Sequence, residues 1–287
     1  MAPCAVTLPW GPISARTLRA PNISRPDPFQ AESSPVQAMP KLRFPVLFFL
    51  LALLCSLVLP AQGVSPYNPS GTTNGVLIGL GGSITIGSVL LDKKVTPMTE
   101  AEVRALDPDN IWPIDRFSLR NLSFDSDEAT DKLLLTSFAS PFFLLLDRNG
   151  RDNFGEMAMI VFQGAMLNSA LINLTKVTAR RARPYNYNAD APLDIKLRKS
   201  SRYSFYSGHV ATAAYFSMTT AQLFSDLRPD SKARPYIWAA AALVPATVAY
   251  GRMRAGKHFF TDVLVGFVAG TAIALTVPAL HRRGADE

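Results

Sequence analysis

The sequence is poor in cysteine, histidine and charge, and each shortage excludes something. Only two cysteines occur among 287 residues, Cys4 in a proline-rich leader and Cys55 inside an apolar run. They cannot build a disulfide framework or a cysteine metal cluster. Leu54, just before Cys55, is not the small residue that a lipoprotein cleavage site requires. No zinc-finger spacing and no basic face interleaved with aromatics is present, so nucleic acid ranks last among partners, although the formal charge is +7. Charged residues make up 18% of the chain and hydrophobic ones 48%. Mean hydropathy is a modest +0.13, but the apolar residues are bunched into runs, which is the pattern of membrane helices. With nucleic acid set aside, a basic balance fits an anionic membrane surface or a phosphorylated substrate.

Residues 1–38 hold prolines and serines without apolar periodicity and read as a disordered leader, one that can lie upstream of the true start at Met39. Residues 39–63 then carry a short basic start, an apolar core from Phe44 to Pro60 and a small-x-small ending, Ala61-Gln62-Gly63. This is the form of a secretory signal, or of an uncleaved N-terminal anchor, and either sends the chain out of the cytoplasm. Residues 64–127 combine an apolar, glycine-rich stretch, Gly75 to Leu91, with a polar, turn-rich region in which Thr99-x-x-Glu102 predicts a capped helix start. The apolar stretch suits a transmembrane helix with close helix contacts or a buried extracytoplasmic segment.

From residue 128 to 281 the pattern becomes helical, with runs at 129–147, 155–178, 208–225, 235–250 and 259–280. Their lengths favour membrane helices over a soluble bundle. The expected fold is therefore all-α, a membrane bundle of about five to six helices with polar clusters at helix ends. Charge counting does not orient it. The connection 179–204 carries Arg180, Arg181, Arg183, Lys196, Arg198, Lys199 and Arg202, and the opposite connections carry as many basic residues.

Three polar clusters interrupt the apolar runs. Lys176 and Arg183 are seven residues apart, which would place both on one helix face, with Pro184 ending the helix. A lysine point charge beside an arginine fork suits phosphate, though basic residues also snorkel at membrane boundaries. Ser207-Gly208-His209 opens the next helix: a serine cap, a glycine that admits a ligand to the backbone amides, and a histidine able to move a proton. A capped helix with an incidental histidine fits the same residues. In the third cluster, Arg252 would bind phosphate. His258 and Asp262, four residues apart, would share a helix face, the carboxylate holding one imidazole nitrogen and freeing the other to attack. An interfacial His–Asp contact without chemistry is the bland alternative. The third histidine, His281, lies beside Arg282 and Arg283 and reads as a surface residue.

Lys-x6-Arg-Pro, Ser-Gly-His and Arg-x5-His-x3-Asp, in this order over roughly residues 128–280, resemble the type 2 phosphatidic acid phosphatase (PAP2) family, which includes bacterial lipid phosphatases, soluble periplasmic acid phosphatases and vanadium haloperoxidases. The resemblance implies that His258 forms a phosphohistidine, Asp262 orients it, and His209 protonates the leaving group. It implies that Lys176, Arg183 and Arg252 bind phosphoryl oxygens, with Ser207 and the Gly208 amide. It implies no metal and no cofactor, a lipid phosphate as substrate, and a bacterial inner membrane with the site facing the periplasm. A periplasmic broad-specificity phosphatase and a vanadate-dependent haloperoxidase are the alternatives within the family. Two positions depart from the family pattern: Tyr206 stands where proline is usual and can line the substrate entrance, and Gly251 stands where serine is usual.

Overall fold

The computed structural model describes residues 65–283, so the leader and the signal-or-anchor segment at 39–63 lie outside the described residues. All described residues fall in the second of the chain's two compact units, Pro45–Glu287. Among them there is no strand, only one isolated bridge between Tyr67 and Arg282.

Six long helices carry the architecture: α1 (Gly71–Asp92), α3 (Phe124–Ala139), α5 (Phe154–Ala179), α7 (Gly208–Leu227), α8 (Arg234–Arg254) and α9 (Phe260–Leu280). Three short ones lie between them: α2 (Glu100–Arg104), α4 (Arg148–Asp152) and α6 (Leu193–Lys196). The apolar stretch expected at 75–91 forms α1, whose start is set by Ser70, with its hydroxyl accepting from the Thr73 amide. Thr99 and Glu102 close the expected capping box at α2. Helix α3 begins five residues before the expected 129, because Ser123 caps a polar first turn containing Asp125 and Asp127 that apolar periodicity does not register. Pro141 then ends α-helical geometry, and Ser140–Leu146 continues as 3-10 helix.

The long helices run alternately up and down, so three connections gather at one end of the bundle: 93–123, 180–207 and 255–259. Helix α7 is the axis. It packs against α3, α5, α8 and α9, and most of its length from Val210 to Leu223 is buried. Two glycines one turn apart on α9 allow close approach. A Cβ added at Gly266 would lie 2.7 Å from the Ser207 carbonyl oxygen, and one at Gly270 would lie 2.1 Å from that of Ala211. Small residues at such spacing let helix backbones meet where lipid offers no hydrophobic drive for association.

Four helical segments are long and apolar enough to cross a membrane: Gly71–Asp92, Phe124–Leu146, Phe154–Tyr187 and Phe260–Leu280. Their outward faces expose Val76, Leu80, Ile86, Phe142, Phe143, Leu264 and Val268. An apolar belt of this extent is matched by hydrocarbon and not by water.

At the end opposite the three connections, the first and last described residues meet. The Asn68 amide donates to the His281 carbonyl at 2.7 Å and the Arg283 amide to the Pro66 carbonyl at 3.0 Å. Tyr67 and Arg282 both reach Asp226 there, at 2.6 and 2.8 Å. His281 is not the surface residue expected from its basic neighbours. It is fully buried, with Nε2 2.7 Å from Gln163 Oε1, because α9 carries it back into the bundle beneath the closing chain ends.

Replacing Gly270 with valine should destabilise the bundle by about 1–3 kcal/mol, since the added atoms meet backbone that cannot rotate away. Gly75→Ala, where nothing lies within 4 Å, should leave it unchanged or slightly more stable. Thermal unfolding of both variants in one detergent checks the pair.

Candidate active site

The three clusters of the sequence come together at the end of the bundle where the three connections gather. Lys176 sits in the last turn of α5, Ser207 to His209 at the start of α7, Arg252 in the last turn of α8, and His258 and Asp262 around the start of α9.

The path to Arg183 differs from the one expected. Helix α5 stops at Ala179, and Arg180 turns the chain through the left-handed region at φ 45°. Arg183 is extended (φ −76°, ψ 155°), as a residue before proline prefers. Lys176 and Arg183 therefore do not share a helix face; the chain folds back to bring them together. Lys176, Arg183 and Arg252 lie within electrostatic reach of one another. Lys176 Nζ also lies over the first turn of α7, where a Cβ on Gly208 would come within 3.0 Å of it. Neither Lys176 nor Arg183 makes a side-chain hydrogen bond to a carboxylate among the described residues, and Arg183 Nε is buried without a partner.

Ser207 is fully buried and caps α7, its Oγ 3.5 Å from the Val210 amide. Its own amide donates to the Asp262 carbonyl at 3.0 Å, which ties the start of α7 to the start of α9. The Gly208 and His209 amides belong to the first turn, where no intrahelical carbonyl is available to them.

The His258–Asp262 arrangement also departs from expectation. His258 precedes α9, which begins at Phe260, so the two residues do not share a helix face. His258 Nδ1 is 3.7 Å from Asp262 Oδ2 but 2.7 Å from the Ser204 carbonyl oxygen. A carbonyl only accepts, so Nδ1 carries the hydrogen and, in the neutral ring, Nε2 keeps its lone pair. Asp262 is committed elsewhere. It accepts from Ser204 Oγ at 2.6 Å, from the Phe259 amide at 2.9 Å and from Arg181 Nη1 at 2.6 Å. It holds the Ser204 segment in place and so reaches the imidazole mainly through that segment.

Sequence patterns alone did not mark several of the surrounding residues. Arg181, one of three arginines in a row of four, bridges Asp262 and the buried Asp115 at 2.6 and 2.8 Å and lies 4.0 Å over the Phe259 ring. Asp115 in turn accepts from the Thr261 amide and hydroxyl at 2.9 and 2.6 Å. On α3, Asp127 takes Arg252 at 2.5 Å and Lys257 at 2.8 Å, and Asp131 takes His209 Nε2 at 2.7 Å. Their four-residue spacing was the available signal, but Asp127 sits in an acidic first turn that reads as ordinary capping. Tyr206, expected at an entrance, is 4% exposed and packs against Ile172 and Ala211. Gly251 is required by packing, since a Cβ there would lie 2.3 Å from the Thr130 methyl.

The family model described as the PAP2 superfamily matches residues 157–285. This stretch is similar to the PAP2 superfamily. The match supports a phosphoric ester hydrolase. A solved structure with which the chain shares 22% identity is titled as the first transmembrane PAP2 type phosphatidylglycerolphosphate phosphatase from Bacillus subtilis. The likeness covers 82% of this chain and 94% of that one, with a TM-score of 0.36. No curated protein matches the chain. The PAP2 match begins at residue 157, so α3 with Asp127 and Asp131 lies outside it.

Burial drives the His258 pKa well below the usual 6.5, and the nearby Arg183 and Arg252 charges act in the same direction against the opposing charge of Asp262. The imidazole should therefore stay neutral below pH 6.5 in an NMR titration of labelled histidine. An unfolded histidine takes up a proton near 6.5 and the folded one does not. The group thus contributes stability above that pH that is lost as pH falls below it.

Proposed function

We propose that the protein hydrolyses lipid phosphomonoesters or diphosphates, of the phosphatidate or isoprenoid diphosphate type, through a phosphohistidine on His258. The observation that carries this reading is a pair of cations, Lys176 and Arg183, with no carboxylate hydrogen-bonded to them among the described residues, gathered with a histidine whose Nε2 lone pair is free. A phosphoryl group supplies the missing negative charge. Lys176, Arg183 and Arg252 would bind its oxygens, and the Gly208 and His209 amides, capped by Ser207, would add fixed donors at a helix N-terminus.

The chemistry then has two steps. His258 Nε2 attacks phosphorus as the bond to the leaving oxygen breaks, and His209 gives that oxygen a proton. Water next attacks the phosphohistidine, His209 takes the water's proton, and inorganic phosphate leaves. Charge spread over the equatorial oxygens in each transition state is met by the fixed cations and amides, so the reading needs no metal ion. Asp262 supports His258 through Ser204 and by its charge at 3.7 Å.

The apolar belt of the bundle favours a lipid substrate, since acyl or isoprenoid chains can lie along it while the phosphate reaches the polar end. We place that end on the periplasmic side of a bacterial inner membrane, a reading supported by the exporting character of residues 39–63.

Phosphate release from a panel of lipid phosphates tests the reading. The wild type should act in EDTA as well as without it. His258→Ala should lose activity by roughly 10^4-fold or more, as loss of a nucleophile does. Activity surviving the substitution would remove His258 from its role, and inhibition by EDTA would overturn the metal-free mechanism. Extraction from membranes should require detergent; release without it would exclude the integral-membrane reading.

A further inference from the structure

We propose that Asp131 is the positioning partner of His209, turning it into an Asp–His proton donor whose Nδ1 faces the leaving oxygen. The inference rests on the phosphatase reading above and adds a residue from a helix outside the PAP2-matched stretch.

The geometry begins with one contact. His209 Nε2 lies 2.7 Å from Asp131 Oδ1. A carboxylate only accepts, so Nε2 carries the hydrogen and Nδ1 is the ring nitrogen left for the reacting group. An imidazole that swings freely would present either nitrogen; this contact selects one tautomer and one ring orientation. The charges around the ring explain why an anion is needed there. Burial opposes an imidazolium most, and Arg252 from α8 and Lys176 from α5 oppose it further. Asp131, from α3, is the group that favours it. Burial and the cations that would hold a phosphate thus work against the acid that must protonate its leaving oxygen, and Asp131 opposes them in part.

Two of the acidic residues of α3 divide the work. Asp127, four residues earlier on the same face, is taken up by Arg252 at 2.5 Å and Lys257 at 2.8 Å. Asp131 touches Arg252 only at 3.4 Å and gives its short contact to His209. Its side chain is 62% exposed, so it is not part of the packed interior, and an isosteric change there leaves no cavity.

The chemistry of the leaving group separates this role from a merely structural one. An alkyl alkoxide leaves poorly and needs the proton; a nitrophenolate leaves readily and hardly needs it. The experiment measures kcat against pH for the wild type, Asp131→Asn, Asp131→Glu and His209→Ala, with an alkyl or lipid phosphate and with p-nitrophenyl phosphate. In Asp131→Asn the alkyl substrate should slow by about 10–100-fold, within the range that general acid catalysis supplies, while the aryl substrate changes by less than about threefold. The alkaline limb of kcat should move to lower pH, because the anion that favours imidazolium is gone. Asp131→Glu should recover part of the alkyl rate. Adding Asp131→Asn to His209→Ala should cost nothing further, since the two residues act as one unit.

Equal loss on both substrates, or no change in either rate or pH profile, overturns the proposal while an active wild type leaves the phosphatase reading standing. A wild type that releases phosphate from neither substrate defeats the phosphatase reading itself and takes this proposal with it.

Discussion

The arrangement of this protein's polar end depends on a single buried carboxylate. Asp262 is wholly removed from solvent, and a charge in that position is tolerable only if it is paired and fully hydrogen-bonded. Its partners come from separate parts of the chain: Arg181 from the connection after α5, Ser204 from the approach to α7, and the Phe259 amide at the mouth of α9. Arg181 passes the linkage on to Asp115, which caps the start of α9 and draws the 93–123 connection inward. All three connections at that end are thereby fixed to one another through one ion-pair chain. His258 inherits its tautomer from this framework, since the Ser204 carbonyl that orients it belongs to the residue whose hydroxyl Asp262 holds.

The framework stands on the packing below it. Helix α7 can serve as an axis because its own residues are largely small and those facing it on α9 include Gly266 and Gly270. Close approach of these two backbones puts the amide end of α7 beside the start of α9, so the site's backbone donors and its imidazole are set by helix–helix distance. The geometry that brings the helices together in lipid is thus also the geometry of the chemistry.

Much of the fold was legible because long apolar runs speak for themselves: the expected helices at 155–178, 208–225, 235–250 and 259–280 each lie close to an observed one. What was not legible came from polar residues at helix ends. The first turn of α3 is acidic and escaped the apolar pattern, and with it went Asp127, while Asp131 lay inside the expected run at 129–147 without being marked. Spacing suggested a shared helix face for Lys176 with Arg183 and for His258 with Asp262, yet in both pairs one member lies beyond a helix terminus. Spacing assumes that a helix persists; the left-handed turn at Arg180 and the extended chain before α9 break that assumption. His281 shows the opposite error, where local basic composition suggested exposure and the return of the chain to the bundle buried it.

The meeting of Pro66–Asn68 with His281–Arg283 makes the described chain nearly a closed loop. The polar end is then indifferent to which residue comes first: a circular permutant that joined these ends and opened an exposed turn such as that between α7 and α8 would keep every contact made by Asp262. The chemistry requires the positions of the three motifs in space and not their order along the sequence.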